Sequence, residues 1–397
     1  MPLGLYLSVP FCRTKCTYCN FSSDVSSKAL FQPYVDRVCR DLEQAQSTAQ
    51  EMGGQFEPAV DTIYLGGGTP TILDILQFKQ FFVTIWQKFE VLPGAEVTVE
   101  CAPGTLTPVL LDALPRLGVN RVSLGVQSFV DREAAWVGRL HRLETVVDDI
   151  SRLRAAGISE INIDLIAGLP GQTINSWDFS LEQTITTEAP HVSIYMLEVD
   201  EDSRLGRELI AGGTKYHAHF VPDEDLTADL YMAACERLDH AGVEQYEISN
   251  FARTGHASRH NLKYWTRQPY LGFGVDAHSM LRPNSVASTD DLCAIRFSNP
   301  DSQQAYLRGD PLTRTFVSKR AALEETFFLG LRLTSGVDLA AVSARFGHHS
   351  VVEFQPAITE MLNVGLLQQR ENLLSLTPRG RLLSNEVFER FISTLVA

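Results

Sequence analysis

The chain has 397 residues, 44% of them hydrophobic, and a formal net charge of −14. That is enough apolar material for one large domain plus a smaller one, and the acidic balance with no Lys/Arg-rich run argues against nucleic acid or an anionic membrane as a partner. No apolar stretch reaches the ~20 residues that span a bilayer, so an integral membrane protein is not expected. The first strand pattern begins at Gly4, leaving a signal or transit peptide nowhere to sit. The odd total of seven cysteines, three of them crowded together, favours a reducing compartment, and the cytoplasm is the expected location.

In chain order, short β-branched runs predict strands at Leu5 to Val9, Thr62 to Leu65, Val97 to Val99, Arg121 to Val126, Ile161 to Ile166 and His191 to Leu197. Helical spacing of apolar residues predicts helices within Ala29 to Met52, Ile75 to Phe89, Arg132 to Ala156 and Trp177 to Thr187. Six alternating units predict an α/β fold, an incomplete (β/α)6 TIM-like barrel, with its active groups on loops after the strands. Leu281 to Pro311, rich in Ser, Asn, Asp and Pro, reads as a connection with little regular core. Beyond it, helices at Glu324 to Leu333, Leu339 to Phe346 and Glu353 to Val364, then a hairpin at Leu367 to Leu376 turning at Glu371-Asn372, suggest a winged-helix-like α+β domain. The expected division is 1–310 for the barrel and its extension and 311–397 for the smaller domain. With no phosphate-binding patch, that smaller domain reads as a docking or lid unit rather than a DNA reader.

The chemistry is concentrated after the strands. Cys12, Cys16 and Cys19 form a C-x3-C-x2-C loop that could give three thiolates to a [4Fe-4S] cluster and leave one iron open. Zinc would want a fourth Cys or His close by, and Cys39 falls where the pattern reads as helix. The spacing resembles that of radical S-adenosylmethionine enzymes. Gly66-Gly67-Gly68-Thr69-Pro70 could let backbone approach a ligand and expose N–H donors, or could simply make a turn. Glu100, Gln127, Arg139 and Asp164 lie on or near successive strand ends, where each alone could be a solvated rim residue and together they suit a ring of ligands for a ribose diol, an amino group and a carboxylate. Cys101, Cys235 and Cys293 read as small core residues.

The ordered set of Tyr6 to Cys19, Gly66 to Pro70, Gly125-Val126-Gln127-Ser128-Phe129, Asp164 to Thr173 and Tyr246 to Ala252 resembles the HemN/HemW family of radical S-adenosylmethionine proteins over nearly the whole chain. The resemblance implies Cys12, Cys16 and Cys19 as cluster ligands. It implies Tyr6, Tyr18, Gly67, Gly68, Thr69, Glu100, Gln127, Arg139 and Asp164 as S-adenosylmethionine contacts. One branch of the family consists of oxygen-independent coproporphyrinogen III dehydrogenases, which convert propionates to vinyl groups; the other consists of haem chaperones.

The local sequence favours the chaperone branch. Asn20 and Phe21 follow Cys19 where the dehydrogenases carry a fourth cysteine, only eleven residues precede Cys12, and Ser8 takes the place of a histidine in Tyr6-Leu7-Ser8-Val9-Pro10-Phe11-Cys12. Chaperones of this family commonly keep that histidine, so Ser8 speaks against dehydrogenation without speaking for chaperoning. Glu100-Cys101-Ala102-Pro103 also departs from the family's Asn before Pro, with Ala102 in that place. His260-Asn261-Leu262-Lys263-Tyr264-Trp265 matches the H-N-x-x-Y-W run associated with haem, which makes His260, Asn261, Tyr264 and Trp265 the haem candidates. His256 and His278 compete with His260, and a lone histidine is more often structural. The implied partners are haem, acceptor proteins such as respiratory cytochromes, and an electron donor if the cluster is reduced. An RNA-modifying radical enzyme is a further reading, disfavoured by charge. No residue is assigned a catalytic role.

Overall fold

A computed structural model describes residues 1–198, 200–287 and 291–392. Six parallel strands are present: β1 (Leu3–Val9), β2 (Ala59–Gly67), β3 (Glu90–Cys101), β4 (Arg121–Gln127), β5 (Glu160–Ala167) and β6 (His191–Met196). They lie side by side in sequence order, the topology of a partial TIM-like barrel. Register holds their C-terminal ends near one rim, with Val9 opposite Gly67 and Gly125 opposite Asp164. In β1, Leu3, Leu5, Leu7 and Val9 are fully buried, and alternation turns Tyr6 and Ser8 to the other face.

Helices cover the outer face. The helix Ile75–Lys88 starts at an Asp74 capping box and buries Phe78, Phe81, Phe82 and Ile85. Ile174–Thr186 starts at a Thr173 capping box, and its fully buried Trp177 donates its indole N–H to the Leu230 carbonyl at 2.7 Å. Two expected helices are broken. Ala29 to Met52 divides into Phe31–Glu43 and Ala45–Glu51, and Arg132 to Ala156 divides into Asp131–Trp136 and Leu143–Ala155. The second break runs through Gly138 at φ +86° and carries Arg139 on a loop. The fold also has a helix at Glu224–His240 that the strand pattern had not called for.

The sheet does not stop at six strands. β7 (Glu244–Gln245) and β8 (Asn250–Ala252) extend it beyond β6, while β9 (Tyr270–Phe273) pairs parallel to β1 and is followed by antiparallel β10 (His278–Leu281), β11 (Leu292–Ser298) and β12 (Thr313–Ser318). The reading of Leu281 to Pro311 as a connection without core is therefore corrected. Ile295 is fully buried, and Tyr306, on the helix Gln303–Arg308, packs beside Tyr34 at 1% exposure. Alternation over seven residues was masked by the polar turns on both sides. The 310/311 division falls between the paired strands β11 and β12.

That unit packs Lys319–Gly330, Leu339–Phe346 and His348–Asn363 against a three-stranded sheet of β13 (Val337–Asp338), β14 (Leu367–Arg370) and β15 (Leu373–Leu376). The hairpin turns at Glu371-Asn372, with Glu371 at φ +54°, and the arrangement is winged-helix-like. Buried Glu325 fastens it to the large sheet through Arg267 (2.8 Å) and Arg296 (2.7 Å). Among the described residues, no helix is long and apolar enough to cross a membrane.

Candidate cluster and cofactor site

The loop that leaves β1 is held at many points. Cys12 N–H donates to the Asp24 carbonyl (3.0 Å), Thr17 N–H to Val137 (3.1 Å), and Thr14 Oγ1 to Gly138 (3.0 Å), while the Arg204 guanidinium donates to the Lys15 carbonyl. Cys12, Cys16 and Cys19 are all half-buried free thiols. Burial pushes the Cys12 and Cys19 thiols above their ordinary pKa, with hydroxyls of Thr69 and Ser23 at 3.9 Å from the respective sulfurs pulling the other way. No group of three or more His, Cys, Asp or Glu among the described residues is gathered to hold a single metal ion. Beside the loop an open cleft of ≈ 730 Å³ is lined by Arg13, Lys15, Thr17, Val25, Leu140 and Arg204, among others.

The glycine segment works differently from its reading in the sequence. Its N–H groups are not free: Gly67 N–H donates to Glu100 Oε2 (3.1 Å), Gly68 to the Val9 carbonyl (2.9 Å) and Thr69 to the Phe11 carbonyl (2.8 Å). A backbone contact to a ligand here must come through carbonyl oxygens, which suit a protonated amine. The missing side chains make room for the protein itself. A Cβ on Gly66 would lie 2.8 Å from the Glu100 carboxyl, and one on Gly68 2.7 Å from the carbonyls of Val9 and Phe11. Gly67 additionally holds φ +99°.

Across the mouth, Glu100 accepts from Tyr64 Oη (2.9 Å) and faces Asp164. Burial, then the neighbouring Asp164 charge, pushes Glu100 up to about 7. Asp164 is raised by burial, opposed by donors from Ser123 (2.9 Å) and Asn162 (2.7 Å). Arg139 Nη2 donates to Tyr18 Oη at 3.1 Å, and the Arg139 charge reaches both carboxylates. Gln127 sits at a bulge in the β4–β5 pairing with φ +70°, a strained conformation for a residue with a side chain. Its Oε1 and Arg139 Nε are buried without a partner among the described residues. Two orphaned polar atoms at one strand end are what a polar ligand would satisfy. Tyr64, Ser123 and Asn162 were not singled out in the sequence, although Tyr64, two residues before Gly66, shares its face.

The haem candidates lie elsewhere. His260 to Trp265 form the helix Arg259–Trp265, which closes the opposite end of the barrel, where strands begin. His260 is 1% exposed, with Nδ1 2.9 Å from Thr62 Oγ1 and Nε2 2.8 Å from Tyr264 Oη. Burial, reinforced by Lys263, drives its pKa down to about 3. Both ring nitrogens are hydrogen-bonded within the protein. Tyr264 is tied up in the same bond. The Asn261 N–H caps the helix through Ser258, and Trp265 lies under Arg332. Of the competitors, His256 is held by Glu160 (2.9 Å), and His278 is 64% exposed beside Asp276.

A parallel six-stranded partial barrel with a three-cysteine loop after its first strand defines the radical S-adenosylmethionine class. The Radical SAM superfamily model matches residues 6–183 and the HemN C-terminal domain model matches residues 317–383. The chain is 32% identical to the heme chaperone HemW of Lactococcus lactis over 98% of its own length and 97% of that protein, and 33% identical to that of Bacillus subtilis over 98% and 99%. It belongs to the HemW family. The solved structure of coproporphyrinogen III oxidase (HemN) from Escherichia coli shares the fold, with a TM-score of 0.82, 22% identity and coverage of 99% of this chain and 91% of that one.

Proposed function

We propose that the chain is a haem-binding chaperone that delivers haem to acceptor proteins in the cytoplasm, respiratory cytochromes being one class. It would carry a [4Fe-4S] cluster on Cys12, Cys16 and Cys19. The observation that carries this reading is near-complete, 32–33% identical coverage of HemW proteins together with Phe21, 65% exposed, where the dehydrogenase pattern has a cysteine.

The residues at the mouth fit S-adenosylmethionine. Carbonyls of the Gly67 to Thr69 segment suit its ammonium, Glu100 and Asp164 its ribose hydroxyls and positive charge, the Arg139 Nε–H its carboxylate, and the Gln127 Oε1 a ligand N–H or O–H donor. Tyr6 and Tyr18 border the same space. Protonated, half-buried thiols become good thiolates only where a cation compensates them, and the iron-sulfur core supplies that charge. When bound and reduced by an electron donor, such a cluster supplies reductive cleavage of the sulfonium. Whatever the redox role, the chain's own groups fix orientation: Glu100 and Asp164 hold charge inside, and Thr69 and Ser23 hydroxyls face sulfur. The test is to offer anaerobically reconstituted protein haem and, separately, coproporphyrinogen III with S-adenosylmethionine and reductant. Stable haem binding without decarboxylation supports the chaperone; multiple-turnover vinyl formation overturns it.

A further inference from the structure

The helix Arg259–Trp265 closes the barrel at the end away from the cysteine loop, yet a column of packed side chains runs from it to the mouth. β1 and β2 pair in register, with Gly4 beside Thr62, Tyr6 beside Tyr64 and Ser8 beside Gly66. Alternation puts all six on one face, in successive layers from floor to mouth. His260 occupies the lowest layer. Its ring lies against Gly4, where a Cβ would stand 3.4 Å from Cε1, and its backbone N–H is anchored to Glu96 Oε1 at 2.9 Å. Thr62 and Tyr264 clamp the ring at its two nitrogens.

The next layer rests on that ring. His260 and Tyr64 have centroids 5.3 Å apart with planes 27° from parallel, and Tyr64 in turn stacks on Tyr6 at 6.1 Å and 30°. Tyr64 Oη and Gly67 N–H each donate to a different oxygen of Glu100, so the ring supported by His260 fixes one side of that carboxyl group. There is no slack around this contact, because a Cβ on Gly66 would fall 2.8 Å from both Tyr64 Cε1 and the Glu100 carboxyl. Burial keeps the His260 ring neutral, so it acts on Tyr64 by packing and not by charge.

We infer that His260 is a positioning residue for the S-adenosylmethionine site: clamped by Thr62 and Tyr264, it sets the plane of Tyr64 and, through Tyr64, the orientation of Glu100. The inference rests on the S-adenosylmethionine reading above. A binding group keeps its geometry only when its supports are themselves locked by packing and hydrogen bonds, and here the lock is the His260 ring.

The test is a double-mutant cycle read by calorimetric titration of cluster-reconstituted protein with S-adenosylmethionine, for wild type, H260A, Y64F and H260A/Y64F. H260N serves as the conservative replacement and H256A as the control, with circular dichroism and iron content checked for each. H260A should weaken binding at least about threefold, and H260N, whose amide still reaches Thr62, should restore most of the loss. H256A should match wild type. Because Y64F already releases Glu100, adding H260A to it should cost nothing further. In cofactor-free protein with glycine-selective nitrogen-15 labelling, the Gly67 amide resonance should move in H260A and in Y64F and stay in place in H256A. If H260A does not fold, T62V opens one side of the clamp and should weaken binding in the wild-type background and not in Y64F. An equal loss in both backgrounds, or unchanged affinity with an unmoved Gly67 resonance, overturns the inference. Failure of wild type with its full cluster to bind S-adenosylmethionine overturns the reading on which it rests.

Discussion

The glycine at position 68 separates two accounts of the mouth. If it were there to let a ligand approach, Gly68→Ala would weaken cofactor binding and leave the cofactor-free fold untouched. Its Cβ would instead stand 2.7 Å from the Val9 and Phe11 carbonyls, backbone atoms that cannot rotate away. The alanine must push the segment off the cysteine loop, straining or breaking the bonds from Gly68 N–H to Val9 and Thr69 N–H to Phe11. Two bonds at about 1 kcal/mol each and overpacking at about 1–3 kcal/mol give a cost of roughly 3–5 kcal/mol. With an unfolding entropy of about 2 cal/mol/K per residue, a chain of this length loses roughly 1 °C of melting midpoint per kcal/mol. Differential scanning calorimetry of protein free of cluster and cofactor should therefore show Gly68→Ala melting roughly 4 °C below wild type. Coincident melts, with only cofactor affinity reduced, would refute this.

The remaining expectations follow from the same geometry. Replacing Cys12, Cys16 and Cys19 together by Ser should abolish bound iron and sulfide, whereas Cys39→Ser, buried on Phe31–Glu43, should not; iron and sulfide analysis decides. Glu100 is raised from 4.5 to about 7, so between those values the folded chain binds more protons than the unfolded one, and its contribution lowers stability as pH rises through that window. Glu100→Gln should thus raise the melting midpoint of ligand-free protein at pH 8, with the advantage vanishing near pH 4.5; a pH-independent difference would contradict it. His260→Ala should destabilise by about 2–4 kcal/mol, since it opens a cavity and strands Thr62 and Tyr264, yet leave haem affinity unchanged, as chemical denaturation and titration would show.

The parallel strands and the cysteine loop were legible because their signals are local: β-branched runs of about six residues and three thiols within eight positions. So was the Glu371-Asn372 hairpin. The sheet's extension was not, because β9 to β12 gain their identity from pairing with β1 and one another, and Ser, Asn and Pro turns hid Ile295 and Tyr306. The helix break at Gly138 that frees Arg139 was hidden for a related reason: the apolar spacing runs across it. At the site, residue types were readable but their partners were not. Gly66 and Gly68 suggested space for a ligand, whereas the space is taken by Glu100 and by β1; His260 suggested a metal ligand, whereas Thr62, 198 residues away in sequence, occupies one nitrogen.

The central claim is that this chain binds haem rather than converting porphyrinogen. Anaerobic incubation of cluster-loaded protein with S-adenosylmethionine, reductant and coproporphyrinogen III, run beside a haem titration of the same preparation, tests it directly. The account requires a saturable haem spectrum and no vinyl product by chromatography. Multiple turnovers to protoporphyrinogen, or no haem bound by protein with its full cluster, would contradict it.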